Sequence, residues 1–218
     1  MSHDAVIAVL AGLMGLIAGG GLAFAAYRIA DDGSGSEQPR SRRRLAVFVA
    51  AGGVVGLWAG LADVSLLMIA ATAILGWQLM LIAVVDAEHH WLPDILTWPL
   101  AISGLIATAL IAQGLPWPQL IGMVAGFVML WGLGQIYRLV RGRDGLGGGD
   151  PFLFAGAGAW DGWTGLFSVL LWACGAALVV VLARLVMRRR VEASDRLPFG
   201  TFLAAGIWLT WLYGPLGW

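Results

Sequence analysis

The sequence contains little charge and almost no cysteine. Of its 218 residues only 12% are charged and 60% are hydrophobic, and the mean hydropathy is +0.84. Soluble domains have about 25% charged and about 45–50% apolar residues, so this composition excludes a soluble fold. The single cysteine, Cys174, lies in an apolar run, which excludes an intrachain disulfide and a cysteine-cluster metal site. A formal net charge of zero also argues against a nucleic-acid partner.

Long apolar runs make up most of the chain. They approach the roughly 20 residues that a helix needs to cross the bilayer core, whereas membrane β-strands alternate and are about ten residues long. We therefore predict an all-α, polytopic bundle of membrane helices with the lipid bilayer as its surroundings. The predicted spans are residues 5–27, 45–62, 64–85, 95–113, 115–140, 151–160, 163–187 and 198–218. The bundle has eight spans, or seven if the short segment 151–160 is re-entrant.

The arginines predict the orientation. The chain has no lysine, and its thirteen basic residues fall in residues 28–44, 138–143 and 184–196. Positive loops stay on the cytoplasmic side, so these three segments are predicted to be cytoplasmic and the N-terminus periplasmic. All three lie on one side only if residues 151–160 cross the membrane, which favours eight spans.

Two acids stand apart from the others. Asp86 and Asp150 each lie at the boundary between an apolar run and the predicted cytoplasmic side, where ionising a carboxylate is costly. Two carboxyl groups in a partly dry site do not both ionise easily, so one acts as base while the other keeps a proton, as in aspartic proteases. Gly147 and Gly149 before Asp150 leave room for a peptide backbone. The alternative is a flexible glycine-rich loop between helices.

Three segments resemble one family. Residues 86–100 read DAEHHWLPDILTWPL, residues 145–163 read GLGGGDPFLFAGAGAWDGW, and residues 197–206 read LPFGTFLAAG. In this order they resemble the conserved blocks of the type IV prepilin leader peptidases, membrane aspartic proteases of the GxGD kind. Residues 16–28 are similar to the family's first span, which ends in tyrosine or histidine followed by arginine, here Tyr27 and Arg28. The resemblance implies that Asp86 and Asp150 are the catalytic pair.

The resemblance also implies a function. Members of the family cut the leader, after a glycine, from precursors of type IV pilins or of type II secretion pseudopilins at the bacterial inner membrane. The implied organisation is a first transmembrane helix (1–27), a short cytoplasmic loop (28–44) and a membrane-embedded peptidase domain (45–218). The loop replaces the cysteine-rich, zinc-binding domain of bifunctional members, so N-methyltransferase activity, a cofactor and a metal are not expected. Phe152 departs from the lysine that many members have at this position.

Other interpretations remain open at this point. Glu88 and the two histidines after it suggest a metal site, but adjacent histidines on a helix diverge by about 100° and rarely bind one ion. Glu88 and Asp94 are instead candidates for attracting a basic leader. A small proton or cation transporter also carries acids inside its bundle, and a catalytically degenerate assembly factor would retain the same fold.

Small and aromatic residues predict how the helices pack. Close helix packing is predicted at Gly52, Gly53, Gly56 and Gly60. An aromatic belt at the membrane surfaces is predicted from the tryptophans near span ends, at positions 91, 98, 117, 160, 163 and 218.

Overall fold

The computed structural model describes residues 3–30, 42–62, 65–143, 145–187 and 198–216, and within them all regular structure is helical. The helices are α1 (His3–Ala30), α2 (Arg42–Ala62), α3 (Leu66–His89), α4 (Asp94–Ala112), α5 (Trp117–Arg141), α6 (Asp150–Val186) and α7 (Phe199–Tyr213). Each of them except α7 is long and apolar enough to cross a membrane. The prediction of an all-α bundle of membrane helices is confirmed. Most of the predicted loop 28–44 and of the arginine segment 184–196 lies outside the described residues.

Helix α6 contains a break. Gly162 has φ 69° and ψ 179°, so the backbone leaves the helical conformation there and divides α6 into an arm of twelve residues and a longer arm. A positive φ is readily adopted by glycine, which carries no Cβ. The predicted segment 151–160 lies within the shorter arm, which begins with Asp150, and the longer arm that follows contains the next predicted span.

Two boundaries differ from the sequence prediction. Asp86 lies inside the last turn of α3, since this helix runs on to His89 rather than ending at residue 85. Helix α7 has only 15 residues, because Gly214 takes a positive φ of 79° and Pro215 follows it. Proline disfavours a helical conformation in the residue before it, which explains why the helix ends before the apolar run does.

The chain forms two compact units, residues 1–81 and 82–218. In the first unit, α1 and α2 approach through glycine. A Cβ on Gly15 would collide with the backbone of Gly52, and one on Gly19 would collide with the backbone of Phe48. The Trp77 indole N–H donates a hydrogen bond to the Gly52 carbonyl at 3.1 Å. The prediction of close packing is confirmed for the glycines that α2 buries: Gly52, Gly53, Gly56 and Gly60.

In the second unit, α6 packs against α4, α5 and α7. Small residues permit this, since a Cβ on Gly158 would collide with the backbone of α5 and one on Gly206 with the backbone of α6. Trp160 corrects the aromatic-belt prediction. It is only 1% exposed, and its indole N–H donates to the Leu100 carbonyl of α4 at 2.8 Å. This tryptophan belongs to the core because α4 offers a carbonyl partner for its polar atom.

Candidate active site

Asp86 is buried at the end of α3, with 5% of its surface exposed. The helix ends just beyond it, where His90 takes a left-handed φ of 52° and its N–H donates to the Asp86 carbonyl at 2.8 Å. Histidine tolerates this conformation better than most residues. The turn therefore ends α3 just after Asp86, whose carboxyl group is buried in the protein interior.

The start of α7 holds the Asp86 side chain. The backbone N–H of Thr201 donates to Asp86 Oδ2 at 2.6 Å, and the Thr201 hydroxyl lies 3.1 Å from the same oxygen and 3.0 Å from the Ala83 carbonyl. Pro198, at the N-cap of α7, has no side chain that accepts a hydrogen bond from the first turn. Asp86 thus supplies an acceptor for a helix N-terminus, where the exposed N–H groups and the helix dipole favour negative charge.

Asp150 is the first residue of α6 and is 4% exposed. Its Oδ2 accepts a hydrogen bond from the Gly147 N–H at 3.1 Å, and its own N–H lies 3.2 Å from the Gly147 carbonyl. The glycine loop therefore folds back on the acid that follows it. The Asp150 carboxyl group lies at the N-terminus of its own helix, α6, whereas the Asp86 carboxyl group lies at the N-terminus of α7.

Leu92 connects the two acids. A Cβ built on Gly149, next to Asp150, would lie 2.5 Å from the Leu92 Cβ, and one built on Gly200 would lie 2.7 Å from Leu92 Cδ1 and 2.9 Å from the Asp86 Cγ. The turn between α3 and α4 thus packs against both the glycine loop and the start of α7. The Asp86 and Asp150 carboxyl groups are close enough to interact electrostatically.

This arrangement suits general acid–base chemistry. Two buried carboxyl groups are each held by a backbone N–H donor, Asp86 by Thr201 and Asp150 by Gly147, and both acids adjoin segments that pack against Leu92. Among the described residues, no group of three or more His, Cys, Asp or Glu side chains is placed to hold a metal ion.

Comparison with known proteins gives the site a context. The family model described as the type IV leader peptidase family matches residues 73–182, which include Asp86 and Asp150. The chain belongs to the type IV leader peptidase family. It is 38% identical over 149 residues to the prepilin leader peptidase/N-methyltransferase of Pseudomonas aeruginosa, a match covering 66% of this chain and 49% of that protein.

Other relatives of the same name agree with this assignment. The protein of Stutzerimonas stutzeri is 36% identical over 146 residues, covering 66% of this chain and 50% of the relative, and that of Aeromonas salmonicida is 35% identical over 144 residues, covering 66% and 49%. The chain spans about half the length of the curated relatives it matches. No solved structure matches it. With its apolar helices, this leader peptidase family member is a multi-pass protein of a bacterial inner membrane.

The other residues predicted for the site lie at its edge. Gly147 contributes a hydrogen bond to Asp150, and Gly149 provides the close approach to Leu92. Glu88 and Asp94 are exposed, on either side of the turn between α3 and α4. The Glu88 carboxylate lies 3.8 Å from His89 Nε2, an ion pair when this histidine is protonated. Their interaction with a substrate stays a prediction.

Sequence analysis missed two residues that contribute to the candidate active site of this leader peptidase family member. Thr201 and Gly200 lie beyond the range that the family model matches, although the resemblance to the family's third block had pointed to residues 197–206. Thr201 is 115 positions from Asp86, and no local pattern in the sequence indicates which helix start would meet α3. A glycine followed by a hydroxyl residue at a helix N-terminus was the available signal.

Proposed function

We propose that this chain is a prepilin-type leader peptidase. It hydrolyses the peptide bond after a glycine and so removes the leader from precursors of type IV pilins or of type II secretion pseudopilins. Support comes from the names of the relatives and, above all, from two buried aspartates, each held by a backbone N–H donor and each beside a glycine that packs against Leu92.

In the proposed mechanism, Asp86 is the general base and Asp150 the general acid. The two hydrogen bonds that Thr201 offers to Asp86 stabilise a negative charge on that carboxyl group. The Asp86 carboxylate takes a proton from water, and the resulting hydroxide adds to the scissile carbonyl carbon. The protonated Asp150 donates a hydrogen bond to the carbonyl oxygen and then transfers its one proton to the leaving nitrogen as the C–N bond breaks, which leaves a new carboxyl group and a new amine. The proton that Asp86 took from water then passes to Asp150, which restores the pair.

The substrate would reach the pair from the bilayer. A precursor with a basic leader and an apolar helix places the junction between them at the membrane surface. Arg138 and Arg141 in the last turn of α5 favour, by the positive-inside rule, a cytoplasmic position for the following glycine loop and Asp150. The exposed carboxylates of Glu88 and Asp94 then lie where they can attract the leader.

Substitution of the acids tests the function. The Asp86→Asn and Asp150→Asn variants, each purified and placed in lipid nanodiscs, are expected to cleave a pilin precursor about 100- to 10,000-fold more slowly than the wild type. The shortened product is followed by gel and mass spectrometry. Asp4→Asn, which changes an acid near the start of α1, serves as the matched control and retains cleavage. Full cleavage by both site variants would contradict the assignment.

Labelling of engineered cysteines tests the orientation. In a Cys174→Ser background, Gly148→Cys in the glycine loop is expected to react with a membrane-impermeant maleimide only from the cytoplasmic side. Gly114→Cys, between α4 and α5, is expected to react from the periplasmic side. The reverse pattern would contradict the proposed cytoplasmic site.

A further inference from the structure

An apolar cavity opens beside the candidate active site. It has a volume of about 300 Å³ and lies between α4, α5 and the first arm of α6. The side chains of Trp98, Ala101, Met123, Phe127, Phe152 and Ala155 form most of its lining. The rings of Phe127 and Phe152 pack at a centroid distance of 5.0 Å and an angle of 59°. These two rings form an aromatic wall.

The lining carries almost no polarity. Among the described residues that line the cavity, the one polar side chain is that of Thr97, whose hydroxyl donates to the Asp94 carbonyl at 3.4 Å. Trp98 and Val124 at the rim are 57% and 59% exposed. The cavity is therefore open on the outer surface of the helices, and its surface suits an apolar side chain rather than a charged one.

Two helices with residues in the cavity lining also begin at the candidate active site: α6 begins with Asp150, and α4 begins just after the Leu92 turn. Phe152 lies in the same helical turn as Asp150, and Thr97 lies in the first turn of α4, close to the Leu92 turn. A helix rises 1.5 Å per residue, and an extended peptide advances about 3.3–3.6 Å per residue. A peptide whose scissile bond lies at Asp150 therefore reaches the cavity within a few residues.

The polarity of the cavity identifies which side of the scissile bond it receives. Placing a basic leader side chain there would bury a charge with no partner, which is costly. The apolar segment after the bond has side chains that match the lining. An apolar cavity of about 150 Å³ is enough to hold benzene, so 300 Å³ accommodates a leucine or phenylalanine side chain.

We propose that this cavity is a specificity pocket for a large apolar side chain within the first four residues after the scissile bond, and that Phe152 determines its shape. The proposal rests on the proposed peptidase function. An occupied pocket favours cleavage of precursors with leucine over those with alanine at the matching position. The larger side chain packs against the aromatic wall and is removed from contact with interfacial water. A preference of about tenfold in kcat/KM is expected.

The test uses the full chain in nanodiscs of phosphatidylethanolamine and phosphatidylglycerol. The substrates are synthetic precursors with leucine, alanine or tryptophan at each of the first four positions after the bond. The wild type is expected to favour leucine at one of these positions. Ala155→Leu fills the pocket and is expected to abolish that preference by slowing the leucine precursor alone. Ala125→Leu, on the exposed face of α5, is the matched control and keeps the preference.

A second variant provides an independent test if Ala155→Leu does not fold. Phe152→Ala enlarges the pocket and is expected to shift the preferred residue from leucine to tryptophan. Equal cleavage of all precursors by the wild type would overturn the pocket while leaving the peptidase function intact, whereas no cleavage of any precursor would refute the function itself. An equal loss on both precursors in folded Ala155→Leu would also overturn the proposal, because it would show that the pocket does not distinguish the two side chains.

Discussion

Glycine has different roles in the two units of the molecule. In residues 1–81, Gly15 and Gly52 let the backbones of α1 and α2 meet. In residues 82–218, Gly149 and Gly200 leave room for the Leu92 side chain, and Gly200 also for a carboxyl group. The first arrangement stabilises a pair of helices, whereas the second positions two acids. We therefore expect substitution to alanine to lower stability in residues 1–81 and to lower the rate of cleavage in residues 82–218.

The largest effect is expected for Gly200→Ala. Its Cβ would lie 2.7 Å from Leu92 Cδ1 and 2.9 Å from the Asp86 Cγ, closer than real Cβ contacts, so both the Leu92 side chain and the carboxyl group must shift. A displacement of about 1 Å at a catalytic group costs on the order of 100-fold in rate, and we expect that loss in kcat for precursor cleavage. Gly175→Ala, whose Cβ meets nothing within 4 Å, is the matched control. Normal kcat in Gly200→Ala would show that the Asp86 position is not critical.

A smaller loss is expected for Gly149→Ala. The added Cβ would meet Leu92, at 2.5 Å from its Cβ and 2.8 Å from its carbonyl oxygen, and would displace this residue rather than a carboxyl group. We expect cleavage to fall about 20-fold, less than for a direct displacement of an acid. The neighbouring Gly148→Ala, with open space around its Cβ, is expected to cleave at the wild-type rate. Similar losses in both variants would indicate loop flexibility, rather than contact with Leu92, as the cause.

Thr201 tests how Asp86 is held. Thr201→Val keeps the backbone N–H bond at 2.6 Å but removes the hydroxyl that contacts Asp86 and Ala83. One hydrogen bond contributes about 1 kcal/mol, so we expect kcat to fall about fivefold with little change in KM. Thr201→Ser restores the hydroxyl and is expected to recover the rate. A loss in Thr201→Ser equal to that in Thr201→Val would contradict the assigned role of the hydroxyl, because serine keeps the hydroxyl and lacks only the methyl group.

The same contrast explains what sequence analysis could and could not predict. Long apolar runs predicted the membrane helices, the predicted topology brought Asp86 and Asp150 to one membrane face, and the family resemblance implied that they form a pair. The contact between Asp86 and Thr201 joins residues 115 positions apart and depends on how α7 meets α3, which no local pattern encodes. The burial of Trp160 likewise depends on a carbonyl supplied by Leu100, 60 positions away.

The smallest effect on catalysis is expected in the first unit. In Gly52→Ala the new Cβ would lie 2.8 Å from the Gly19 Cα and 2.9 Å from its nitrogen, and would also meet the Gly15 carbonyl, so α1 and α2 must separate. We expect a lower thermal midpoint, by about 2–4 °C for each kcal/mol lost, with kcat per folded molecule unchanged. Gly21→Ala on α1, whose Cβ meets nothing within 4 Å, is expected to change neither quantity. Thermal unfolding and cleavage measured on the same samples separate the two roles. A fall in kcat without a fall in the midpoint would mean that glycines of the first unit also act on the acids.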